Sequence, residues 1–522
     1  MGKDEEKKDL PVEESKSVKD AVAEVAEKPA AEVKKFSERD FGKFKGSQII
    51  KCVCGVVVVI LLILIVKGLF GNKDVEYPVI YNNSDSDLYL MTTKVKNEDK
   101  AVKLSNGDSA YSVMYANTNN RYVLFEKNDA LYLYDAKKKD ETTKIVSDVA
   151  SYTFTDDDKY VIATDDDDTL YSYNFKGDKE KLDSDIKQIY SYTNTKVLYD
   201  KDGELYVRSI NAKKDDKVKV AGEYSSYVSP NLSEDGKNVI YSNEDGELYL
   251  YNVSKKSGTK VAADVVSYRC DTKSCTNMYY VVSDGDTAIY YYNGKDSKKM
   301  VEDATIAATD VDKQLLVYKV VDGDDTSLYF KKGSNDAAKI EDDLDGVSTV
   351  RIFNGKEIYY KTSDNEVKYA KISGNKVTGV KSLAEKAGSL YEYKNGYVFV
   401  ADTNKEGTSG DLYFASNGKA KKADSDVSVY EIKVSNNGKK VYYLKDYKTT
   451  GDLYVTSGGK GKKIDSDVHT YEYIKEGLIY YIKDYSSSKS RGDLYRYTGK
   501  SVKLAEDVTR LASTPNSFTN KK

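Results

Sequence analysis

Val427-Ser428-Val429-Tyr430-Glu431-Ile432-Lys433-Val434 opens a stretch of four short apolar runs, followed by Lys440-Val441-Tyr442-Tyr443-Leu444, Asp452-Leu453-Tyr454-Val455 and Lys462-Lys463-Ile464. The first run alternates apolar and polar side chains, the pattern of a strand with one buried face. Asn436-Asn437-Gly438, Gly451 and Ser457-Gly458-Gly459 stand between the runs. These residue types supply the positive φ that tight hairpins demand. Residues 427–467 therefore read as a four-stranded antiparallel meander, and Asp465-Ser466-Asp467-Val468 begins the next one.

The dipeptide Leu453-Tyr454 marks the third strand, and it recurs. It stands at Leu88-Tyr89, Leu131-Tyr132, Leu170-Tyr171, Leu205-Tyr206, Leu248-Tyr249, Leu328-Tyr329, Leu412-Tyr413 and Leu494-Tyr495. Worn copies fill the gaps at Ile289-Tyr290 and Val367-Lys368-Tyr369. Successive steps are 43, 39, 35, 43, 41, 39, 39, 45, 41 and 41 residues. A period of about 40–45 residues with four strands per unit is the signature of propeller blades. One such meander has two greasy faces, and radial stacking on copies of itself buries both. The fold class is all-β: a β-propeller of about eleven blade repeats. Single propellers usually hold about 4–8 blades, so two propellers are expected, over residues 71–305 and 306–513, with a single large or open ring as the rival. Glu76-Tyr77-Pro78-Val79-Ile80-Tyr81 lacks an opening strand, and Val508-Thr509-Arg510-Leu511-Ala512 is an opening strand without its blade. The two fragments are complementary and are expected to pair, removing an exposed edge.

Composition agrees with paired strands. Only Pro230 lies between Pro78 and Pro515, as suits a body in which each lost N–H breaks a ladder. The 48 Tyr residues, against 12 Phe and no Trp, suit half-buried pleated surfaces and are expected chiefly to pack between blades. Lys plus Arg is 81 and Asp plus Glu 85, a near balance that offers no basic field for nucleic acid.

Residues 49–70 hold the one long apolar run, with Val56 to Val66 unbroken Val, Ile and Leu. At about 1.5 Å per residue such a run spans a hydrocarbon core of about 30 Å. Lys28, Lys34, Lys35, Arg39, Lys43, Lys45 and Lys51 flank its uncharged centre on the N-terminal side, against Lys67 and Lys73 on the C-terminal side. The positive-inside rule then puts the N-terminus in the cytoplasm and the repeats outside a cell membrane. Residues 1–48, charged and poor in large apolar side chains, are expected to be disordered, as is 514–522.

Sites of chemistry are sparse. One histidine, His469 in Asp467-Val468-His469-Thr470-Tyr471, excludes a multi-His metal site, and it reads as an ordinary strand residue. No Gly-x-Ser-x-Gly elbow and no phosphate-binding loop occur, so no catalytic residue is assigned. Acidic runs at Asp156 to Asp158, Asp165 to Asp168 and Asp322 to Asp325 fall in expected turns. Asp200, Asp202, Glu204, Asp284 and Asp286 resemble pieces of calcium loops, but lack the full pattern with a terminal Glu, and Asp-Gly is also the ordinary hairpin turn. Cys270 and Cys275, five apart and expected outside the cytoplasm, are expected to form a disulfide across a turn.

The unit Ser229-Pro230-Asn231-Leu232-Ser233-Glu234-Asp235-Gly236-Lys237 through Gly246-Glu247-Leu248-Tyr249 resembles the blades of TolB-type propellers. The chain is also similar to Tyr-rich, membrane-anchored propellers of Gram-positive bacteria. The resemblance covers residues 76–513 and implies fold more than function, because propellers host binding, scaffolding and catalysis alike. The expected function is a single-pass, extracytoplasmic binding module for a protein or glycan of the cell envelope, without catalysis or cofactor. The rivals are a lyase or hydrolase using Asp and Tyr in the central funnel, which converging carboxylates there would favour, and a sensor signalling through the span.

Overall fold

The computed structural model describes residues 79–91, 101–105, 113–115, 122–135, 138, 142–175, 177–211 and 215–512. The tail 1–48, the apolar run 49–70 and the end 514–522 lie outside these. Among the described residues no helix is long and apolar enough to cross a membrane.

Seven separate four-stranded antiparallel sheets occupy residues 113–146, 149–183, 186–221, 231–262, 265–302, 305–344 and 347–384, here blades 2 to 8. A thirteen-stranded sheet supplies the rest. Its strands Lys419–Val434, Lys462–Lys475 and Ser501–Leu511 each finish one blade and begin the next. They bend at Asp426, Asp467 and Asp507, whose φ values of 58°, 55° and 55° are left-handed. Blades 9, 10 and 11 thus cover 391–424, 427–465 and 468–505. Blade 1 joins Val79–Asn83, Leu88–Met91 and Val102–Ser105 to the last residues of the chain's final strand.

The two ends pair as their sequences require. Tyr81 faces Leu511, Asn82 faces Arg510, and Asn83 faces Val508 in an antiparallel ladder. Ala512 N donates to Ile80 O at 2.9 Å, extending it. One hydrophobic cluster joins Val79 and Tyr81 to Leu478, Leu494 and Val508, and another joins Ile80 and Leu90 to Val123 and Phe125. Blade 1 is therefore packed between blades 11 and 2.

Every other neighbouring pair of blades shares such a cluster, so the packing returns to its start. The packing runs on across residue 305. Tyr279, Val281 and Ile289 of blade 6 share a core with Ala304, Leu316 and Tyr318 of blade 7, and residues 75–522 form one compact unit.

The Leu-Tyr dipeptide explains the interfaces. The Leu at 88, 131, 170, 205, 248, 328, 412, 453 and 494 is wholly buried between blades, as are Ile289 and Val367. Each such burial stabilises by about 1.5–3 kcal/mol, an upper figure against a compact unfolded chain. Except at Tyr171, which faces Ala163, the following Tyr lies against an aromatic ring on the neighbouring strand. Tyr89 on Tyr81, Tyr132 on Phe125, Tyr249 on Tyr241, Tyr413 on Phe399 and Tyr495 on Tyr481 stack at 5.4–5.9 Å. Directly opposed aromatic pairs of this kind are the unit of sheet stabilisation.

A second device recurs between the outer strand of one unit and the second strand of the next. Asp183 accepts from Tyr199 Oη at 2.8 Å and from Lys201 and Lys217 at 2.9 Å. Asp424 accepts from Tyr443 and Lys445 at 2.7 and 2.6 Å, and Asp465 from Tyr481 and Lys483 at 2.5 and 3.0 Å. Buried tyrosine hydroxyls thus find an anion, and the anion finds a cation, as a dry interface requires.

Candidate functional site

In an antiparallel meander, the turn between the second and third strands lies on the same rim as the junction to the next blade. Backbone hydrogen bonds knit the two together here: Val149 N to Asp129 O at 2.8 Å, Ile186 N to Asp168 O at 2.9 Å, Val265 N to Gly246 O at 3.0 Å and Ala387 N to Asn365 O at 2.7 Å. Seven of the junctions turn through a left-handed aspartate. Asp148, Asp185, Asp264, Asp303, Asp426, Asp467 and Asp507 hold φ between 49° and 61°. Aspartate tolerates that region because its short side chain bonds locally.

Blade 8 passes to blade 9 differently. Lys386, at φ 48°, stands where those junctions have Asp. Lysine gains no local bond to offset the left-handed strain, and retained strain of this kind gathers at functional sites. At this junction a cleft of about 780 Å³ opens on the rim. Its walls are Lys361, Asp364 and Asn365 of blade 8, Lys386 to Ser389 of the junction, Thr403 to Gly407 of blade 9 and Val429 of blade 10. Thr403 Oγ1 donates to Lys386 O at 3.2 Å, and Val429 N donates to Thr408 O at 3.1 Å, so three blades brace it.

Val429 reaches the cleft through an irregular strand. Val427 pairs with Lys445 but Ile432 with Tyr443, so five steps along one strand oppose two on its partner. In blade 11 the matching break runs only from Val468 to Thr470. Bulges re-aim side chains next to sites. This one leaves Tyr430 at 71% exposure, against 2% for Tyr471, which holds the same place in the sequence repeat. Tyr471 Oη braces the bulge from inside, 3.1 Å from Glu431 O and 2.9 Å from Tyr442 O.

Beyond the bulge lie the inner strands of blades 10 and 11. Burial pushes the Glu431 carboxyl above the usual carboxylate range, while Lys433 and His469 pull it back. Burial raises Glu472 too, opposed by Lys433 and assisted by the Glu431 charge. His469 Nδ1 donates to Thr449 O at 2.7 Å, which fixes the tautomer with Nε2 bare when neutral. The imidazole lies flat on Tyr485, centroids 3.6 Å apart. His469 thus sits in its strand, as expected, but joined to a cluster the sequence reading did not assemble.

The residues kept as calcium ligands are not brought together. Asp200, Asp202 and Glu204 belong to one hairpin of blade 4, Asp284 and Asp286 to a turn of blade 6. The Asp200 carboxylate accepts from Tyr224 Oη and from Gly203 N at 3.1 Å, while Glu204 holds Lys219 and Tyr206. Asp202, like Asp158 and Asp168 in the acidic runs, takes φ between 52° and 57° as a turn residue. Among the described residues no group of three or more His, Cys, Asp or Glu side chains is placed to hold a metal ion. Cys270 and Cys275 lie side by side as free thiols, their Sγ atoms 2.6 Å apart, and not as the expected disulfide. Asp271 caps the turn between them, accepting from Ser274 N at 2.8 Å and Asn277 N at 2.8 Å. The turn in turn docks on blade 5, where Glu234 N and Asp235 N donate to Thr272 O and Lys273 O at 3.1 and 3.0 Å.

The sequence reading missed the cleft. Two signals were present: Lys386 interrupting the row of junction aspartates, and Tyr-Glu repeated in three successive inner strands at Tyr391-Glu392, Tyr430-Glu431 and Tyr471-Glu472.

No protein-family model matches the chain, and no curated protein matches it. Solved structures that resemble it include Kluyveromyces lactis Hsv2 with loop 6CD replaced by a Gly-Ser linker, at 13% identity and a TM-score of 0.29, covering 52% of this chain and 97% of that one. Kluyveromyces lactis Hsv2p follows at 11% identity and 0.30, covering 52% and 96%, and Kluyveromyces marxianus Hsv2 at 11% and 0.29, covering 52% and 96%. Likeness at that level carries no functional argument. The strand order, the registers and the cycle of shared cores carry the fold, and by them the chain is a β-propeller.

Proposed function

We propose that this chain is a membrane-anchored binding module, presented outside the cell by residues 49–70, whose propeller takes a protein or glycan of the envelope in the cleft of blades 8 to 10. The observation that carries the reading is local asymmetry. In a ring of near-copies, one sector combines a cleft, an enlarged bulge and an exposed Tyr430. Amphipathic tyrosine faces are common anchors for ligands. The TolB-type resemblance of residues 229–249 agrees with a binding role but names no ligand.

The test is to probe the full-length protein in detergent on an array of envelope glycans and proteins, with calcium and with chelator. A ligand is expected, with Tyr430→Ala weakening it about tenfold, the scale of a lost aromatic anchor. Because Tyr430 lies outside the core, the variant should melt within about 1 °C of the parent. Absence of any ligand, or one indifferent to Tyr430→Ala, sinks the reading.

The funnel enzyme stays as a second reading because Glu431, Glu472 and His469 lie together on the inner strands of blades 10 and 11, with Tyr485 of the next strand stacked on His469. Release of new reducing ends or of unsaturated sugars, lost in Glu472→Gln, is what it requires.

The same extracytoplasmic placement would oxidise the Cys270 and Cys275 thiols to a disulfide. Alkylation of denatured, unreduced protein should leave both unlabelled. Reduction should cost about 2 kcal/mol, the small figure a short loop gives. Labelling of both without reductant would refute the bridge.

A further inference from the structure

The rim that holds the cleft changes sign there. Through blades 1 to 7 the described connections on this rim carry acids such as Asp85, Asp129, Asp167, Asp202, Asp245 and Asp324, and no Lys or Arg. The first basic residues on it are Lys386 and Lys405, both in the wall of the cleft, and Lys361 joins them from the end of its strand. None of these three lysines is in an ion pair, whereas elsewhere Lys201, Lys445 and Lys483 are each committed to an aspartate. Asp364 and Glu406 of the same wall are likewise unpaired, and Ser389, Thr403, Asn365 and Asn404 add hydroxyl and amide groups.

We infer that the cleft binds an acidic saccharide, a sugar bearing a carboxylate or a phosphate, with its anion among Lys361, Lys386 and Lys405. The inference rests on the binding reading above and adds the ligand class. Lys361, Lys386 and Lys405 line one cleft without ion-pair partners, which leaves their charge available to an anion. Asp364, Glu406 and the amides suit sugar hydroxyls, which need acceptors and donors side by side. Tyr430 follows Val429 of the wall in sequence and is exposed, a ring free to meet the apolar side of a pyranose. The connections of blades 10 and 11 carry Lys448 and Lys489, whereas the acidic connections of blades 1 to 7 repel an anionic polymer from that side of the cleft. That repulsion acts over about 8 Å at physiological salt, enough to reject contact along the neighbouring turns. Lys386 is the telling residue. Asp there would ease the left-handed backbone and match the other junctions, yet it would place a carboxylate against the ligand anion.

The experiment is titration calorimetry on the full-length protein in detergent. The probes are an oligogalacturonate, its neutral methyl ester, a phosphorylated mannose oligomer and inorganic phosphate, each at low and physiological salt. The acid or the phosphate oligomer should bind at least about tenfold tighter than the ester and weaken as salt rises. The carboxylate and phosphate arms tell which anion is read, and binding of inorganic phosphate alone, with no oligomer preferred, overturns the saccharide assignment. Lys386→Asp, which restores the residue of the other junctions, should melt at or above the parent temperature and lose about tenfold in affinity. Lys405→Ser, on an exposed turn, should lose affinity in the same direction. Equal binding of acid and ester, or affinity unmoved by both substitutions, overturns the inference. If an envelope protein or neutral glycan binds through Tyr430 while no acidic probe does, this inference falls and the binding reading stands. If nothing binds, both fall.

Discussion

A chain ended after Asp507 should lose on the order of 4–6 kcal/mol of stability, from the burial of Val508, Leu511 and Ala512 and the ladder they carry. Val508 is wholly buried between blades 11 and 1, and Ala512 is buried against blade 2. Tyr81, Asn82 and Asn83 would lose their partners Leu511, Arg510 and Val508. Arg510 Nε also donates to Asn82 Oδ1 at 2.9 Å, a side-chain bond across the same seam. The effect exceeds that of a similar deletion at a loop because two elements fail together. Blade 1 loses its inner strand, and the cycle of interfaces opens to leave unpaired edges, which recruit other chains. Urea unfolding followed by tyrosine fluorescence should show a lower midpoint, and light scattering should show association. A second chain ended after Ala512 keeps every residue of the seam and should unfold like the parent. Equal midpoints for the two truncations would mean that the seam does not close the ring.

Asp183→Ala should cost about 3–5 kcal/mol, the scale for leaving buried charges without their partner. The Asp183 side chain is 9% exposed and is met by Lys201 and Lys217, themselves 20% and 25% exposed. Removing the carboxylate strands two ammonium groups and the hydroxyl of Tyr199, a side chain with no exposure at all. Burial alone would raise the pKa of Asp183, but hydrogen bonds from Lys217, Lys201 and Tyr199 outweigh it and hold the carboxyl well below the usual range. Asp424 and Asp465 are lowered by the same balance. The sign follows from linkage. A carboxyl that ionises more readily when folded contributes stability above its unfolded value, about 3.9, and that contribution is lost as pH falls through the folded value. Midpoints should therefore be level near neutrality and fall steeply below about pH 4. Asp183→Ala should make that fall shallower, because one of the three carboxylates responsible is gone. A mutant with the parent's midpoint at pH 7, or the parent's full acid sensitivity, would show that the clamp contributes nothing.

Much of this was legible one repeat at a time. The Leu of each Leu-Tyr pair is buried because a residue flanked by a turn and an aromatic on a short strand has one greasy face to offer. The spacing of those pairs therefore counted the blades. The seam was legible too, since a first unit lacking an opening strand and a last one consisting of nothing else can complete only each other. Cys270 and Cys275 meet because five residues around a capped turn bring them back. The acids fared worse. Asp200 and Glu204 look alike as Asp-Gly hairpin residues, yet one serves Tyr224 across a junction and the other Lys219 along its own sheet. Which partner each finds depends on side chains fifteen or more residues away.

By itself the sequence determined strand, turn, repeat length, blade number and the pairing of the two ends, because each follows from residue pattern within a unit and from the need to hide both sheet faces. Only the tertiary structure decided that the packing cycle runs unbroken through residue 305, that the strand from Val427 to Ile432 bulges, and that Lys361, Lys386 and Lys405 gather at one opening. Those outcomes are set where blades lean on one another, and contacts between distant residues, not local periodicity, fix them.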